Sequence, residues 1–431
     1  MVEATSSSLD LFKKTILQTS IVDGSWLEVR PINSIEETAP VDFHIDGTSE
    51  DFVDLSETFL KVKLRITSAD GENGYTQDDM VAPVNLILQS MWSKLDVSFN
   101  GKRVSSSGHT YPYRAYFETA LNLGSDVKKG QLSASGWRED TPGHFDTLDE
   151  ANTGFIARKG LGLGRRTISL MGRLHSDVFT QNRCLVDGVN IHIQLTRSND
   201  QFCIMRAEMA ENFKVKIDEA SLFVRKIKVL PSCRLGIYKA LSLSPARYPI
   251  RRTEQRLFSI SNNITSWSQE NVLIGQLPRR ITIGFVRTDA IHGDYALNPF
   301  HLQHFGINFF SLYINGKSVP SRALQPTFHG ANSDYVRTYM QMSSALGHAF
   351  TNQDCGISYE DFNRGNTLFV FNLNAELTDG EHTETIRRGS VRIEVRFDGP
   401  LINPITCLVL SEYDNLILID KERNISLDYL V

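Results

Sequence analysis

A glycine-rich segment followed by two arginines could bind a phosphate group. Gly160-Leu-Gly-Leu-Gly164 precedes Arg165 and Arg166, so backbone amides and guanidinium groups would lie side by side. The glycines have neither the Walker spacing nor the G-x-G-x-x-G spacing, and a strand rather than a helix is expected to follow. The segment is therefore predicted to be a flexible loop that leads into a strand at Thr167.

Three histidines have the side chain that transition metals prefer. His301 and His304 are three residues apart, and His292 lies upstream. No carboxylate or cysteine stands at an interval that would complete a ligand set, and a His-x-x-His pair in a sheet protein is usually incidental. We therefore predict no metal site.

The cysteines are odd in number and none forms a C-x-x-C pair, which disfavours a disulfide framework and a zinc ribbon. They are Cys184, Cys203, Cys233, Cys355 and Cys407. Their number and spacing indicate free thiols in a reducing compartment. No local signature marks a nucleophile and no G-x-S-x-G elbow occurs, although a cysteine could still meet a histidine in space. We predict no catalytic residue, no cofactor and no enzymatic activity.

Composition indicates a soluble globular protein with more than one core. The chain has 431 residues, of which 41% are hydrophobic and 22% charged, enough for two domains. Its 45 basic and 50 acidic residues give a net charge of -5. That balance, without an arginine-rich arm, argues against sequence-specific nucleic-acid binding. No apolar run is long enough for a transmembrane helix, and the first 24 residues lack the core of a signal peptide.

Period-two alternation predicts β-strands in both halves of the chain. Leu60, Val62, Leu64 and Ile66 alternate with basic residues, and similar patterns begin at Val189, Phe213 and Val391. Turn-forming clusters at 69–74 and 377–381 separate strands. Irregular spacing of the strands favours a β-sandwich over a propeller.

Two helices interrupt the strands. Pro112 suits the first turn of a helix that continues through apolar residues to a stop at Gly124. A second helix is predicted from an N-cap at Ser333 to Gly347. Both are preceded by similar segments, since Val97-Ser-Phe-Asn-Gly-Lys resembles Leu312-Tyr-Ile-Asn-Gly-Lys at an offset of 316 − 101 = 215 residues.

The order of elements indicates an internal duplication. The strand at Val189 matches the strand at Val391, and apolar runs follow at Leu222 and Leu416. The Asn-Gly match alone could be two ordinary hairpins, but strand, helix, strand and strand recur in one order. We predict an arm at residues 1–24 and two sandwiches at 25–232 and 240–431. Each sandwich should contain one inserted short helix, and Gly101 and Ile191 should superimpose on Gly316 and Ile393.

Several segments resemble the hexon-type major capsid proteins of Maverick/Polinton elements and adintoviruses. They are Leu9-Asp-Leu-Phe12 with Gln18-Thr-Ser-Ile21, Val81-Ala-Pro-Val-Asn-Leu86, Tyr111-Pro-Tyr-Arg-Ala-Tyr116 and Gly172-Arg-Leu-His-Ser-Asp-Val-Phe179. The resemblance implies an all-β fold of two tandem eight-stranded jelly rolls. It also implies homotrimers that form pseudo-hexagonal capsomers in an icosahedral virion around double-stranded DNA, with a single jelly-roll penton or minor capsid protein as a further partner.

Two other functions stay open at this point. A domesticated twin β-sandwich with lectin-like binding is the main alternative, although Trp26, Trp92, Trp137 and Trp267 form no cluster in the sequence. A β-sandwich hydrolase ranks third. A stable monomer would favour either of these over a capsid subunit.

The sequence offers two candidates for assembly contacts. An N-terminal arm carries Leu9, Leu11, Phe12, Ile16 and Leu17 at roughly helical spacing. The arm could bind a neighbouring capsomer or an inner-layer protein, or fold back on its own domain. Arginine pairs at 251–252, 279–280 and 387–388 are predicted on solvated faces, with salt bridges between subunits as the functional alternative.

Overall fold

A computed structural model of the chain describes residues 17–36, 39–207, 212–375 and 385–429. It is mostly β-structure, with 42% strand and 21% helix in antiparallel sheets. The predicted fold class, a double jelly roll, is confirmed. The two rolls follow one another along the chain.

The first roll packs a sheet in the order β1-β10-β3-β7 against a sheet in the order β2-β8-β5-β6, and β4 and β9 form a separate pair. The strands are β1 Ile21–Val29, β2 Val41–Ile45, β3 Asp51–Ser68, β4 Val81–Pro83, β5 Trp92–Phe99, β6 Lys102–Ser106, β7 Ile168–Arg173, β8 Ile191–Arg197, β9 Ile204–Arg206 and β10 Phe213–Val229.

The second roll has the orders β11-β18-β13-β16 and β12-β17-β14-β15, with β19 added beside β18. Its strands are β11 Ala246–Ile260, β12 Ser266–Gln276, β13 Arg280–Arg287, β14 Ile307–Ile314, β15 Lys317–Leu324, β16 Leu368–Asn372, β17 Arg388–Phe397, β18 Ile405–Ile419 and β19 Ile425–Leu427. Without β4, β9 and β19, the strand orders of the two rolls coincide, which is what an internal duplication requires.

Matching hairpins show the duplication at the level of single hydrogen bonds. Asn100 N donates to Asn190 O at 2.9 Å, and Asn190 N donates to Asn100 Oδ1 at 2.8 Å. In the second roll, Asn315 and Ser390 make the same two bonds, both at 3.0 Å. Asn100 and Asn315 both have a positive φ (47° and 48°), as type I′ hairpins need. Gly101 therefore corresponds to Gly316, as predicted.

The register of the matching strands differs from the prediction by two residues. Ile191 pairs with Phe99, two residues before Gly101, whereas Val391 pairs with Ile314, two residues before Gly316. Ile191 thus corresponds to Val391 and not to Ile393. The predicted counterpart nevertheless lies on the same buried face as the observed one, because side chains on a strand repeat every two residues.

Alternating burial follows the predicted pattern. Leu60, Val62, Leu64 and Ile66 on β3 lie in the core, and the basic residues between them are half-buried on the outer face. Along β18, by contrast, residues 405–413 are buried on both faces. The first roll covers the outer face of this sheet. A Cβ atom added to Gly284 of β13, the strand paired with β18, would lie 3.2 Å from the Phe117 ring of the first roll.

Helices are more numerous than the single insertion predicted for each roll. The described residues contain α1 Ile87–Ser90, α2 Tyr111–Asn122, α3 Ser125–Lys129, α4 Thr153–Gly162, α5 Asp200–Cys203, α6 Pro231–Leu243, α7 Thr288–His292, α8 Val336–Ala345 and α9 Tyr359–Asn363. None of these helices combines the length and hydrophobicity needed to cross a bilayer. The predicted pair corresponds to α2 and α8, which both follow the Asn-Gly hairpin of their roll.

Two local predictions about helices were wrong. The second helix begins after Tyr335, which makes no side-chain cap, so Ser333 is not its N-cap. Gly160 and Gly162 lie in α4, not in a loop. Tyr75 explains the second glycine: a Cβ on Gly162 would lie 2.9 Å from the Tyr75 hydroxyl, which donates to Lys159 O at 2.6 Å. Glycine at position 162 therefore allows α4 to pack closely against the Tyr75 ring.

Helix α6 lies between the last strand of the first roll and the first strand of the second. β1 begins at Ile21, so the last four residues of the segment assigned to the arm belong to the first sheet. The segment assigned to the second roll begins inside α6. The turn cluster at 377–381 lies outside the described residues.

Candidate assembly surfaces

The described chain begins at the end of the proposed arm. Leu9, Leu11, Phe12 and Ile16 lie outside the described residues, whereas Leu17 is described and 75% exposed. Leu230 N, at the start of α6, donates to Ser20 O at 2.9 Å. Ser20 therefore lies beside the start of α6.

Strand β1 is the most exposed strand edge of the first roll. All of its residues except Val29 are exposed, including Ile21, Val22, Trp26 and Leu27. One edge pairs with β10, and no strand among the described residues pairs with the other. An unpaired apolar strand edge is a template for another chain unless something covers it.

Strand β11 occupies the same place in the second roll, but the first roll covers its edge. Thr253 N donates to Asp177 Oδ1 at 2.9 Å, and Arg183 Nη1 donates to Arg247 O at 2.6 Å. Tyr248, also on β11, accepts a bond from Val186 N at 3.0 Å. Residues of the first roll thus form hydrogen bonds with backbone groups on the free edge of β11.

A buried ionic network anchors this contact. Arg114 on α2 lies 2.7 Å from Asp177 Oδ1 and 2.8 Å from Glu118 Oε1, and both Arg114 and Asp177 are almost inaccessible to water. His175 Nδ1 lies 2.8 Å from Glu118 Oε2. Burial alone would raise the pKa of Glu118, but the Arg114 charge and the His175 hydrogen bond outweigh it and lower this pKa to about 2. Glu118 is therefore ionised, and the network holds α2 against β11.

A second polar contact joins the rolls close to Tyr116 of α2. Asp140 accepts bonds from Arg158 Nη2 at 2.7 Å and from Asn298 Nδ2 at 3.0 Å. Beside it, the rings of Tyr116 and Phe300 stack with centroids 4.3 Å apart. Aromatic packing and a satisfied buried charge together fix the relative orientation of the rolls.

Residues 420–429, which follow β18, return to the first roll. Arg423 binds Asp187 through Nη2 at 2.6 Å, and its carbonyl accepts from Asn100 Nδ2 at 2.9 Å. Lys102 Nζ donates to Ile425 O at 3.0 Å, and Tyr429 OH donates to Val104 O at 2.8 Å. This segment ties the end of the second roll to the Asn-Gly hairpin of the first.

The arginine pairs do not all lie on solvated faces. Arg279 and Arg280 are buried, with Arg280 2.7 Å from Glu412 and Arg279 3.6 Å from Asp414. The prediction for this pair was wrong, because neighbouring carboxylates on β18 compensate the buried charges. Arg252 stacks over the Tyr413 ring at 4.3 Å, and Arg387 and Arg388 are exposed.

The histidines considered above as metal ligands make different contacts. His301 Nδ1 lies 2.6 Å from Asp146 Oδ2. His304 stacks on Phe328 with centroids 4.3 Å apart. Burial, with the charges of His329 and His301, lowers the pKa of His304 to about 4. No group of three potential metal ligands occurs among the described residues.

The tryptophans lie in different environments. Trp92 and Trp137 are buried, Trp26 is exposed beside Phe59, and Trp267 packs near Phe258 in the second roll. Their positions do not combine into one aromatic platform of the kind that a sugar would stack on.

All five cysteines are free thiols, and they differ in exposure. Cys203, Cys355 and Cys407 are buried, and burial raises the pKa of each; Cys184 and Cys233 are half-buried. We expect Ellman's reagent to modify Cys233, and more slowly Cys184, in the native protein. The buried thiols should react at least about 100-fold more slowly until urea unfolds the chain. Five equally fast thiols in native protein would contradict the packing of both cores.

Sequence reasoning missed the ionic network between the rolls. Arg114 and Asp177 stand in two segments that were singled out only for their resemblance to capsid proteins. A charged residue between the ring-bearing residues Tyr113 and Tyr116 was the available signal, because an arginine on an apolar helix face needs a buried partner.

Comparisons with solved structures identify the fold. A chain of the Sputnik virophage superimposes with a TM-score of 0.65 at 12% identity, covering 100% of this chain and 94% of that one. The faustovirus major capsid protein gives 0.58 at 10% identity, covering 95% and 92%. The mavirus major capsid protein gives 0.54 at 11% identity, covering 99% and 95%.

Sequence comparison adds a relative of unknown role. The uncharacterized protein F54H12.2 of Caenorhabditis elegans is 25% identical over 426 residues, which are 96% of this chain and 99% of that protein. No protein-family model matches the chain. The structural similarity, over nearly the whole length of both chains, shows that this chain has the double jelly-roll fold found in viral major capsid proteins.

Proposed function

We propose that this chain is the major capsid protein of a double-stranded DNA virus or virus-like transposon of the Maverick/Polinton and adintovirus kind. It would trimerise into pseudo-hexagonal capsomers and build an icosahedral shell. Its place would be the virion, after assembly inside the host cell. No catalytic centre, cofactor or metal belongs to this proposal.

One observation carries the trimer: the edge of β11 is covered by the first roll, whereas the corresponding edge of β1 is exposed. A contact that one roll makes with the next inside the chain can be repeated between chains. The second roll of one copy would then cover β1 of the next copy. After three copies the ring closes, and six similar rolls approximate a hexagonal tile.

The net charge of the chain supports packaging of the genome by something other than the charge of the coat protein. The chain has a net charge of -5, so nucleic acid would not be condensed by this protein. Further partners would be other trimers and a single jelly-roll penton or minor capsid protein, which would close the fivefold vertices of the shell.

The arm is proposed to act between trimers or toward an inner layer, so its removal should separate two levels of assembly. We expect a chain without residues 1–20 to remain a soluble trimer, because the contacts at β1 and β11 are intact. Higher assemblies should fall at least about tenfold in yield, since each would lack apolar contacts of the arm. Light scattering and electron microscopy of both proteins measure the two levels.

Each outcome of this deletion has a separate meaning. Shells of normal yield from the shortened chain would refute the role of the arm alone. A monomer at micromolar concentration for the full chain would refute the capsid proposal and favour the lectin-like alternative.

A further inference from the structure

A polar cavity lies between the two rolls, beside the free edge of β11. Its volume is about 600 Å³, within the roughly 300–1,000 Å³ of small-molecule sites. The lining residues come from α2 and residues 180–183 of the first roll, and from β11, β18 and the start of β13 in the second. Thr180, Asn182 and Arg183 are exposed, so the cavity is open to solvent on their side. We call this space the junction cavity.

The junction cavity carries an excess of positive charge. Five arginines and three carboxylates line it, which gives a formal charge of 5 − 3 = +2. Asp177, which binds Arg114, lowers this sum to +1. The whole chain has a net charge of -5, so the excess belongs to the cavity and not to the protein surface in general. The arginines are Arg114, Arg183, Arg251, Arg279 and Arg280.

Each carboxylate of the cavity already lies beside an arginine. The pairs are Glu118 with Arg114 at 2.8 Å, Glu412 with Arg280 at 2.7 Å and Asp414 with Arg279 at 3.6 Å. Arg183 differs from these, because its Nη1 donates to a carbonyl oxygen, which does not neutralise a guanidinium. Among the described residues, no carboxylate forms an ion pair with Arg183. The excess charge is therefore available to an anion that enters from solvent.

One donor of Arg114 has no partner within the described part of the chain. Its Nε binds Glu118 and its Nη2 binds Asp177, whereas Nη1 is buried without a hydrogen bond. Arg114 is only 3% exposed and lines the junction cavity. Buried donors are almost always paired, because an unpaired donor lowers the stability of the fold. A water molecule would accept this bond but would leave the excess positive charge of the cavity uncompensated.

The free edge of β11 directs a backbone donor to the same place. Arg247 O and Thr253 N both bind groups of the first roll, and β11 pairs with β18 without a register shift. Backbone groups along a strand alternate between its two edges, so the N–H of Arg251 points toward the first roll as well. Arg251 lines the junction cavity between these two contacts.

We propose that the junction cavity binds a small, multiply charged phosphate such as pyrophosphate, which bridges the two rolls. Guanidinium groups and backbone amides are the donors that phosphate oxygens prefer. Arg114 Nη1 would donate to the ligand from the first roll, and Arg251 N would donate from the second. Arg183 would bind it at the mouth of the cavity. All three residues belong to one chain, so this inference goes beyond the proposed function and does not depend on the trimer.

Calorimetric titration of the full chain with inorganic pyrophosphate tests this site. At constant ionic strength we expect one saturable site per chain. The melting temperature should rise with the pyrophosphate concentration, because the ligand binds only the folded protein, and chloride at equal ionic strength should not raise it. Absence of saturable binding at millimolar pyrophosphate would overturn the proposal.

Substitutions at the mouth of the cavity provide the second part of the test. Arg183→Gln with Arg251→Gln should raise the Kd for pyrophosphate at least about tenfold. Arg114 itself is kept, because its loss would leave buried carboxylates without a partner. The matched control is Arg322→Gln with Arg388→Gln, which removes the same charge from exposed residues outside the cavity. Equal Kd values for the two double variants would contradict the junction cavity as the site.

Crystals and competition with DNA establish the position and the source of the phosphate. In crystals grown with pyrophosphate, a phosphate oxygen should lie about 3 Å from Arg114 Nη1. Pyrophosphate bound only elsewhere would refute the assignment. A short single-stranded DNA should not displace pyrophosphate, because the net charge of -5 repels a polyanion. Displacement by DNA that the Arg183→Gln and Arg251→Gln variant abolishes would identify a nucleic acid as the ligand and overturn the assignment to a free phosphate.

Discussion

Replacing Arg114 with methionine should lower the free energy of unfolding by about 3–5 kcal/mol, because it leaves buried carboxylates without a partner. Asp177 and Glu118 would keep their hydrogen bonds from Ser105 and His175 but lose the charge that compensates them. Urea unfolding followed by tryptophan fluorescence measures the change. Because the network joins the rolls, we also expect the two rolls of the Arg114→Met variant to unfold in separate transitions.

Arg256 offers a matched control for this substitution. Arg256 pairs with Glu254 at 2.7 Å, but its side chain is much more exposed than that of Arg114. Methionine at this position should change the free energy of unfolding by less than about 1 kcal/mol. Equal effects of the two substitutions would mean that the network adds no more than a surface ion pair.

Introducing two glutamates on β1 should convert the proposed trimer into a monomer. Val22→Glu and Leu27→Glu would place charges on the exposed strand that is expected to lie between copies. Burying each unpaired carboxylate in an interface costs several kcal/mol, so the dissociation constant should rise by a factor of roughly 100 or more. Sedimentation equilibrium would then report one third of the mass of the unchanged protein.

Phe350 is the control for this variant, because it is also exposed but lies in the long insertion between β15 and β16. Phe350→Glu should leave the trimer intact. Circular dichroism checks that both variants keep their strands. A folded V22E/L27E protein that stays trimeric would exclude β1 as the contact between copies.

Local patterns in the sequence were sufficient for the repeated elements of the fold. The alternation from Leu60 to Ile66 and the Asn-Gly hairpins at 100–101 and 315–316 each depend on neighbours in the chain. The duplication could be recognised because both hairpins keep the same turn chemistry. Its register was two residues off, since periodicity alone fixes a face and not a position along the strand.

Contacts between distant segments were beyond such reasoning. Arg280 and Glu412 are 132 residues apart, and nothing in either local sequence indicates that β13 and β18 bring them together. Gly162 suggested a loop because its packing partner, Tyr75, lies 87 residues away. The exposed edge of β1 was also out of reach, because strand order within a sheet is a property of the whole roll.

The return of residues 420–429 to the first roll sets an order of events during translation. Asp187 and Arg423 are 236 positions apart, so the first roll leaves the ribosome long before its partner at Arg423 exists. Its Asn-Gly hairpin stays unbound until the second roll has been synthesised and has folded. A chain released early would lack this bond, and the unoccupied hairpin would distinguish an incomplete product from a finished one.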